Sequence, residues 1–70
     1  MLQRLILGTL FGKHSLDMGL IEPSKISAIR KGRDNTLVVI IDGAQQIVPC
    51  PDEKHQALYL KQIEKFSRAR

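Results

Sequence analysis

The sequence predicts an α+β protein in which a small antiparallel sheet of three to four strands packs against a C-terminal α-helix. Two observations carry this prediction. Between residues 36 and 49 the β-branched run TLVVII meets Asp42-Gly43 and resumes as AQQIVP, which is the pattern of a β-hairpin. After Pro51 the apolar spacing changes to the 3.6-residue period of an amphipathic helix. A chain of 70 residues is long enough for one small domain, and we expect residues 1–70 to form it.

The turn of the predicted hairpin fixes which residues lie opposite each other. Asp42-Gly43 suits a two-residue type I′ turn, because both central residues need a positive φ, which glycine adopts freely and aspartate better than most residues. Counting outward from this turn pairs Ile41 with Ala44, Val39 with Gln46, and Leu37 with Val48. These pairs lie on one face of the hairpin, and the other face carries Val38, Ile40 and Ile47.

Both faces of this hairpin are therefore largely apolar, whereas an antiparallel sheet with one solvated face alternates apolar and polar residues. Each face needs a cover, and one helix supplies only one. The cover of the second face is a second copy of the chain, another protein, or the N-terminal segment with Leu5, Ile6, Leu7, Leu10 and Phe11. In the first two cases we expect a protein interface at Val38, Ile40 and Ile47.

Further elements are predicted upstream of the hairpin. Pro23 and Ser24 break the chain before a strand at about residues 25–31, and the cluster Gly32–Asn35 forms the turn into the hairpin. A short extended piece at Leu16–Ile21 precedes the proline turn. The first dozen residues stay ambiguous, because their apolar residues fit helical spacing while Gly8 and Gly12 favour an extended, turning segment.

The C-terminal helix is predicted at about residues 53–67, with Asp52 as its N-cap. At 100° per residue its apolar face contains Tyr59, Ile63 and Phe66, flanked by Leu60, and this face packs on the sheet. The opposite side is purely basic, and it consists of Lys54, Lys61, Lys65 and Arg68. We call these four residues the basic stripe.

The charge of the chain admits a nucleic-acid partner without requiring one. Eleven Lys and Arg against seven Asp and Glu give a formal net charge of +4. The basic stripe is either a solvated helix face or a site for phosphates, in which case the basic turn of Arg30, Lys31 and Arg33 makes a second contact. Recognition of single-stranded RNA by stacking of bases on aromatic side chains is disfavoured, because the aromatic residues are few and Tyr59 and Phe66 are needed in the core.

The only cysteine, Cys50, lies between Pro49 and Pro51 at the switch from strand to helix. A cysteine nucleophile needs a histidine that a third group orients, and His55 has no evident third partner, so we expect no enzyme. Neither His14 nor His55 shows metal-ligand spacing with Asp17 or Asp52, and no metal or other cofactor is expected. A single cysteine excludes an internal disulfide and favours a reducing, cytoplasmic location.

No membrane span is predicted. The apolar run LILGTLFG at residues 5–12 is far shorter than the roughly 20 residues that a spanning helix needs. It also lacks the basic start and the cleavage site of a signal peptide, so we interpret it as part of the fold. An alternative is that this segment and the basic residues rest on a membrane surface.

The segment IEPSKISAI, followed by TLVVIIDGAQQIV and then a helix, resembles the small FlbD-like flagellar proteins over about Leu20–Phe66. The resemblance implies an α+β layout and a non-catalytic regulatory or accessory role, and it transfers no functional residue. A small phage or mobile-element protein that modifies a host machine would have the same features.

The sequence therefore yields two functional hypotheses. The first is a small cytoplasmic regulatory protein that binds a protein partner, with a homodimer as one form of this binding. The alternative is a nucleic-acid-binding protein that contacts phosphates through the basic stripe and the basic turn.

Overall fold

The computed structural model describes residues 1–9 and 14–68, which form five strands, a short 3-10 helix and one α-helix. The first two strands form a two-stranded antiparallel sheet, and the other three form a second antiparallel sheet in chain order. The predicted α+β class is confirmed, although the strands form two sheets rather than one. In chain order the elements are β1 (Gln3–Gly8), β2 (Ser15–Ile21), the 3-10 helix (Pro23–Lys25), β3 (Ile26–Lys31), β4 (Thr36–Ile41), β5 (Ala44–Pro49) and α1 (Glu53–Arg68).

The β4–β5 hairpin has the predicted turn and register. Asp42 and Gly43 both adopt positive φ, at 51° and 80°, as a type I′ turn requires. The two strands pair without a register shift from Thr36–Pro49 to Ile41–Ala44, and the three predicted pairs are all present. Local turn chemistry therefore determines which side chains share a face.

The β3–β4 connection is the second predicted turn. Asp34 and Asn35 adopt left-handed φ values of 55° and 58°, which aspartate and asparagine tolerate better than most residues. Gly32 has a different role: a Cβ at this position would lie 2.5 Å from Thr36 Oγ1, so the Thr36 side chain would have to move. The Gly32 N–H donates to Thr36 O at 2.8 Å and closes the turn.

The N-terminal segment, which the sequence left ambiguous, is a strand in its described part. β1 pairs with β2 and buries Leu5 and Leu7. Gly8 ends this strand with a φ of 96°, a conformation that glycine adopts without strain. Leu10, Phe11 and Gly12 of the prediction lie outside the described residues.

Helix α1 begins and packs as predicted. Asp52 Oδ1 accepts the backbone N–H of His55 at 2.8 Å, so Asp52 is the N-cap. Tyr59 and Ile63 are fully buried, and Phe66 and Leu60 pack against the core at its border. Within residues 1–9 and 14–68, no helix is long and apolar enough to cross a membrane.

One face of the three-stranded sheet, which we call the inner face, forms the floor of the core. Its buried side chains meet both α1 and the β1–β2 hairpin, so the two covers lie on the same side of the sheet. The buried apolar residues are Leu5, Leu7, Ile21, Leu37, Val39, Val48, Tyr59 and Ile63.

Polar contacts fix the helix on this core. The side chain of Gln62 binds the backbone of Gly8 at two points: Gly8 N–H donates to Oε1 at 2.7 Å, and Nε2 donates to Gly8 O at 3.0 Å. Gln56 Nε2 donates to Thr36 O at 2.9 Å. The helix is thereby tied to the end of β1 and to the start of β4, which places its first turn beside the β3–β4 turn.

Candidate functional site

The face of the three-stranded sheet that points away from α1, which we call the outer face, carries exposed apolar side chains. Two cross-strand rows, Arg30–Val38–Ile47 and Ala28–Ile40–Gln45, form most of it, and the pair Thr36–Pro49 continues it. Ile47 is 55% exposed, and Val38 and Ile40 are half-buried. Arg30 is the only charged residue in these two rows. The outer face is therefore an apolar surface with a single cation at its side.

The structure decides part of the question of what covers the outer face. Leu5 and Leu7 of β1 pack into the core on the inner face, together with Tyr59 and Ile63 of α1. Ile6 of the proposed cover is exposed, and Leu10 and Phe11 lie outside the described residues. In the described part of the N-terminal segment, the buried apolar residues thus serve the inner face.

The four residues of the basic stripe, Lys54, Lys61, Lys65 and Arg68, are all exposed on α1. Within residues 1–9 and 14–68 the ion pairs join Met1 to Glu22, Arg4 to Asp17 and His55 to Asp52, and none involves the stripe. None of the four side chains therefore lies in an ion pair with a described carboxylate.

The basic turn is divided between two faces. Lys31 and Arg33 lie near the first turn of α1, because Gln56 binds Thr36 and Cys50 N–H donates to Asn35 O at 3.0 Å. Arg30, in contrast, lies opposite Val38 and therefore projects on the outer face. The structure brings Lys31 and Arg33 to the same end of the molecule as Lys54 but separates Arg30 from the stripe.

Cys50 lines a shallow cavity of about 310 Å³ together with Leu16, Pro49 and Tyr59. Partial burial, followed by the nearby charge of Asp52, raises the pKa of the thiol above its ordinary value. The thiol also donates a long hydrogen bond to Val48 O at 3.7 Å. A raised pKa keeps the sulfur protonated and weakens it as a nucleophile.

Two histidines lie beside this cavity. The rings of His14 and His55 meet edge to face with centroids 5.3 Å apart, and His55 meets Tyr59 in the same way at 5.9 Å. His55 Nδ1 lies 2.9 Å from Asp52 Oδ1, and the hydrogen bond from the His55 backbone N–H lowers the pKa of that carboxyl. These contacts support the start of the helix. Among the described residues, no group of three or more His, Cys, Asp or Glu side chains is arranged to hold a metal ion.

The sequence did not predict that two glutamines anchor the helix. Gln56 is 7% exposed and Gln62 is half-buried, yet both are polar residues at the border of the apolar face. Nothing in their spacing distinguishes them from solvated glutamines. Their partners, Thr36 O and Gly8, are 20 and 54 residues away along the chain.

Comparison of the chain with protein-family models, with curated proteins and with solved structures finds no match. The resemblance to FlbD-like proteins therefore stays a prediction from the sequence.

Proposed function

We propose that this chain is a small, non-enzymatic regulatory or accessory protein of the cytoplasm that acts by binding another protein through the outer face of its three-stranded sheet. The observation that carries the proposal is the exposure of Ile47 beside Val38 and Ile40, on the side of the sheet away from α1 and β1. Contiguous exposed apolar side chains with polar neighbours are typical of protein-binding surfaces.

The chemistry of the remaining polar groups supports a binding role over a catalytic one. The thiol of Cys50 has a raised pKa, and His55 is hydrogen-bonded to the residue that caps its own helix. A catalytic cysteine needs the opposite arrangement, with a lowered pKa and a histidine directed at the sulfur.

Introducing a charge on the outer face should abolish partner binding. In Ile47→Lys, complex formation would bury an unpaired ammonium group in the interface. When this variant is immobilised, the amount of partner protein that it retains should therefore be at least about tenfold lower than with wild type. The matched control is Ala57→Lys, which adds the same charge at an exposed position of α1. Proteins that bind wild type and Ala57→Lys but not Ile47→Lys would support the proposal. Equal retention by all three would contradict it.

A second candidate function is nucleic-acid binding through phosphates. The observation that favours it is the exposure of Lys54, Lys61, Lys65 and Arg68 on one side of α1. Four cations that project from one helix face match the regular negative charge of a nucleic-acid backbone, and their counterion release would make binding strongly salt-dependent.

Replacing Lys61 and Lys65 with glutamine tests this second candidate. The slope of the logarithm of affinity against the logarithm of salt concentration should fall by about 1.8 on duplex DNA, since each lost phosphate contact contributes about 0.9. The control is the pair Gln3→Glu and Ser24→Glu, which lowers the net charge equally at exposed sites outside α1. An equal slope for wild type and the Lys61/Lys65 variant, or no measurable binding, would exclude the stripe as a nucleic-acid site.

A further inference from the structure

Strand β5 has a free edge in the described structure. It pairs with β4 on one side only, and five of its six residues are exposed. The end of β1 is held by Gln62 of α1 on the side away from β2, and β3 lies alongside the helix. Within the described residues β1, β2 and β3 also pair with one neighbour each, so β5 is one of four edge strands.

The edge strands differ in how well they are protected against pairing with another strand. β3 carries Arg30 and Lys31, and its register against β4 shifts near its start. β2 carries the charged Asp17, and Gly19 interrupts it with a φ of 81°; the Gly19 N–H is bound by Asp17 Oδ1 at 2.8 Å. A charge and an irregular backbone are common devices that block edge pairing. β5, with the sequence AQQIVP, has no charged residue and no register shift against β4, and only Pro49 at its end limits pairing.

The hydrogen-bond pattern determines which groups of β5 face outward. Cys50 N–H donates to Asn35 O, so the backbone of Cys50 points toward the β3–β4 turn. Backbone groups alternate along a strand, so Val48, Gln46 and Ala44 also point to β4. The backbone groups of Gln45 and Ile47 then point away from β4, and so does Pro49, which has no N–H to donate.

We propose that β5 pairs antiparallel with β5 of a second copy, with the two-fold axis at Gln46. In this register Gln45 of each chain lies opposite Ile47 of the other, and each of these two pairs exchanges two backbone hydrogen bonds. All four outward N–H groups of the two copies are used, and Pro49 ends the ladder on both sides. Gln46 faces Gln46 of the second copy in a non-hydrogen-bonded pair with about 4.5 Å between Cα atoms.

Among the described edge strands, β5 is the one without a charged residue, so a second copy can approach it without like-charge repulsion at the edge. A chain with a net charge of +4 repels its own copies over most of its surface, whereas an uncharged strand brings no cation against another. Arg30, the cation of the outer face, lies two strands away from the edge. The inference rests on the proposed protein-binding role and names one partner, while pairing with a strand of a different protein is an outcome that the test can detect.

Complementary charges at Gln46 test both the pairing and its register. Gln46 is exposed, so Gln46→Lys and Gln46→Glu should fold normally. Sedimentation over about 1 μM to 1 mM should show a wild-type dimer whose dissociation constant rises about tenfold in each variant alone, because like charges meet at the axis. An equimolar mixture of the two variants should recover the wild-type affinity or exceed it. Ala57→Lys is the control for added charge and should leave the dimer unchanged.

The outcomes separate this inference from the proposed function. Recovery in the mixture, together with amide exchange at Gln45 and Ile47 that slows as concentration rises, would support the β5 dimer. The inference would be overturned if wild type is a monomer at all concentrations, or if neither charge at Gln46 changes the dissociation constant of the dimer. If Ile47→Lys nevertheless loses a different protein that wild type retains, the proposed function stands and the dimer fails. If that protein is lost with Gln46→Lys as well, the edge serves a foreign strand.

Discussion

Replacing Ile63 with alanine should lower the free energy of unfolding by about 2–5 kcal/mol, the range for removing a large aliphatic side chain from a packed core. Ile63 is 0% exposed and lies where α1 meets both sheets. A chain of 70 residues has a total stability of roughly 4–10 kcal/mol, so this single change removes a large part of it. Urea denaturation followed by circular dichroism measures the loss.

The matched control for Ile63→Ala is Leu2→Ala, which removes a side chain of similar size that is 61% exposed and precedes β1. This control should change the stability by no more than about 0.5 kcal/mol. If Ile63→Ala does not fold, Ile63→Val still tests the core, with an expected loss of about 0.5–1.5 kcal/mol. Equal losses for the core variant and the surface control would contradict the described packing of α1.

Elements with a strong local signal were predictable from the sequence. The Asp42-Gly43 turn alone fixes the register of β4 and β5, because both residues adopt the positive φ that a two-residue hairpin needs. Asp52 caps α1 for the same kind of local reason, since its side chain reaches a backbone N–H three residues later. Neither the hairpin register nor the helix cap depends on residues that are distant in the sequence.

Two features of the fold depend on distant contacts and were not predictable. The assignment of β1 depends on its partner strand and on Gln62, which binds Gly8 across 54 residues of sequence. The division into two sheets follows the 3-10 helix at Pro23–Lys25, which turns the chain so that β3 pairs with β4 rather than with β2. A proline turn is visible in the sequence, but its effect on strand pairing is not.

The residues of the candidate site were predictable from the sequence, but the position of the site relative to β1 and α1 was not. Alternation along β4 and β5 placed Val38, Ile40 and Ile47 on one face without any structural information. Which face the N-terminal strand would cover was undetermined, because either face offers apolar side chains of similar size. The separation of Arg30 from the basic stripe likewise depends on the side of the sheet that α1 occupies.

The proposed protein-binding surfaces and the basic stripe are compatible in one molecule. The β5 edge and the outer face share Ile47, whereas the basic stripe lies on the solvent side of α1 across the core. A dimer formed through β5 would therefore leave both basic stripes accessible. Protein binding and phosphate binding are thus separable by the variants at Gln46, Ile47, Lys61 and Lys65.

Replacing Gly8 with alanine should destabilise the fold by roughly 2–5 kcal/mol. Its φ of 96° strains any residue with a Cβ, at a cost of about 1–3 kcal/mol. The added methyl group would also collide with the carbonyl oxygen of His14. Relief of this collision requires the end of β1 to move, and Gly8 would then lose its two hydrogen bonds with Gln62, each of which contributes about 0.5–1.5 kcal/mol.

Gly19→Ala separates the two causes, because Gly19 has a similar φ of 81° but no heavy atom within 4 Å of the position of a Cβ. This control should show the backbone strain alone, so Gly8→Ala must be the more destabilising change in urea denaturation. Gln62→Ala should remove the same two hydrogen bonds, and its effect should add little to that of Gly8→Ala in the double variant. Equal losses for Gly8→Ala and Gly19→Ala would show that the collision with His14 adds nothing to the backbone strain. Full additivity with Gln62→Ala would show that a methyl group at residue 8 leaves the hydrogen bonds with Gln62 intact.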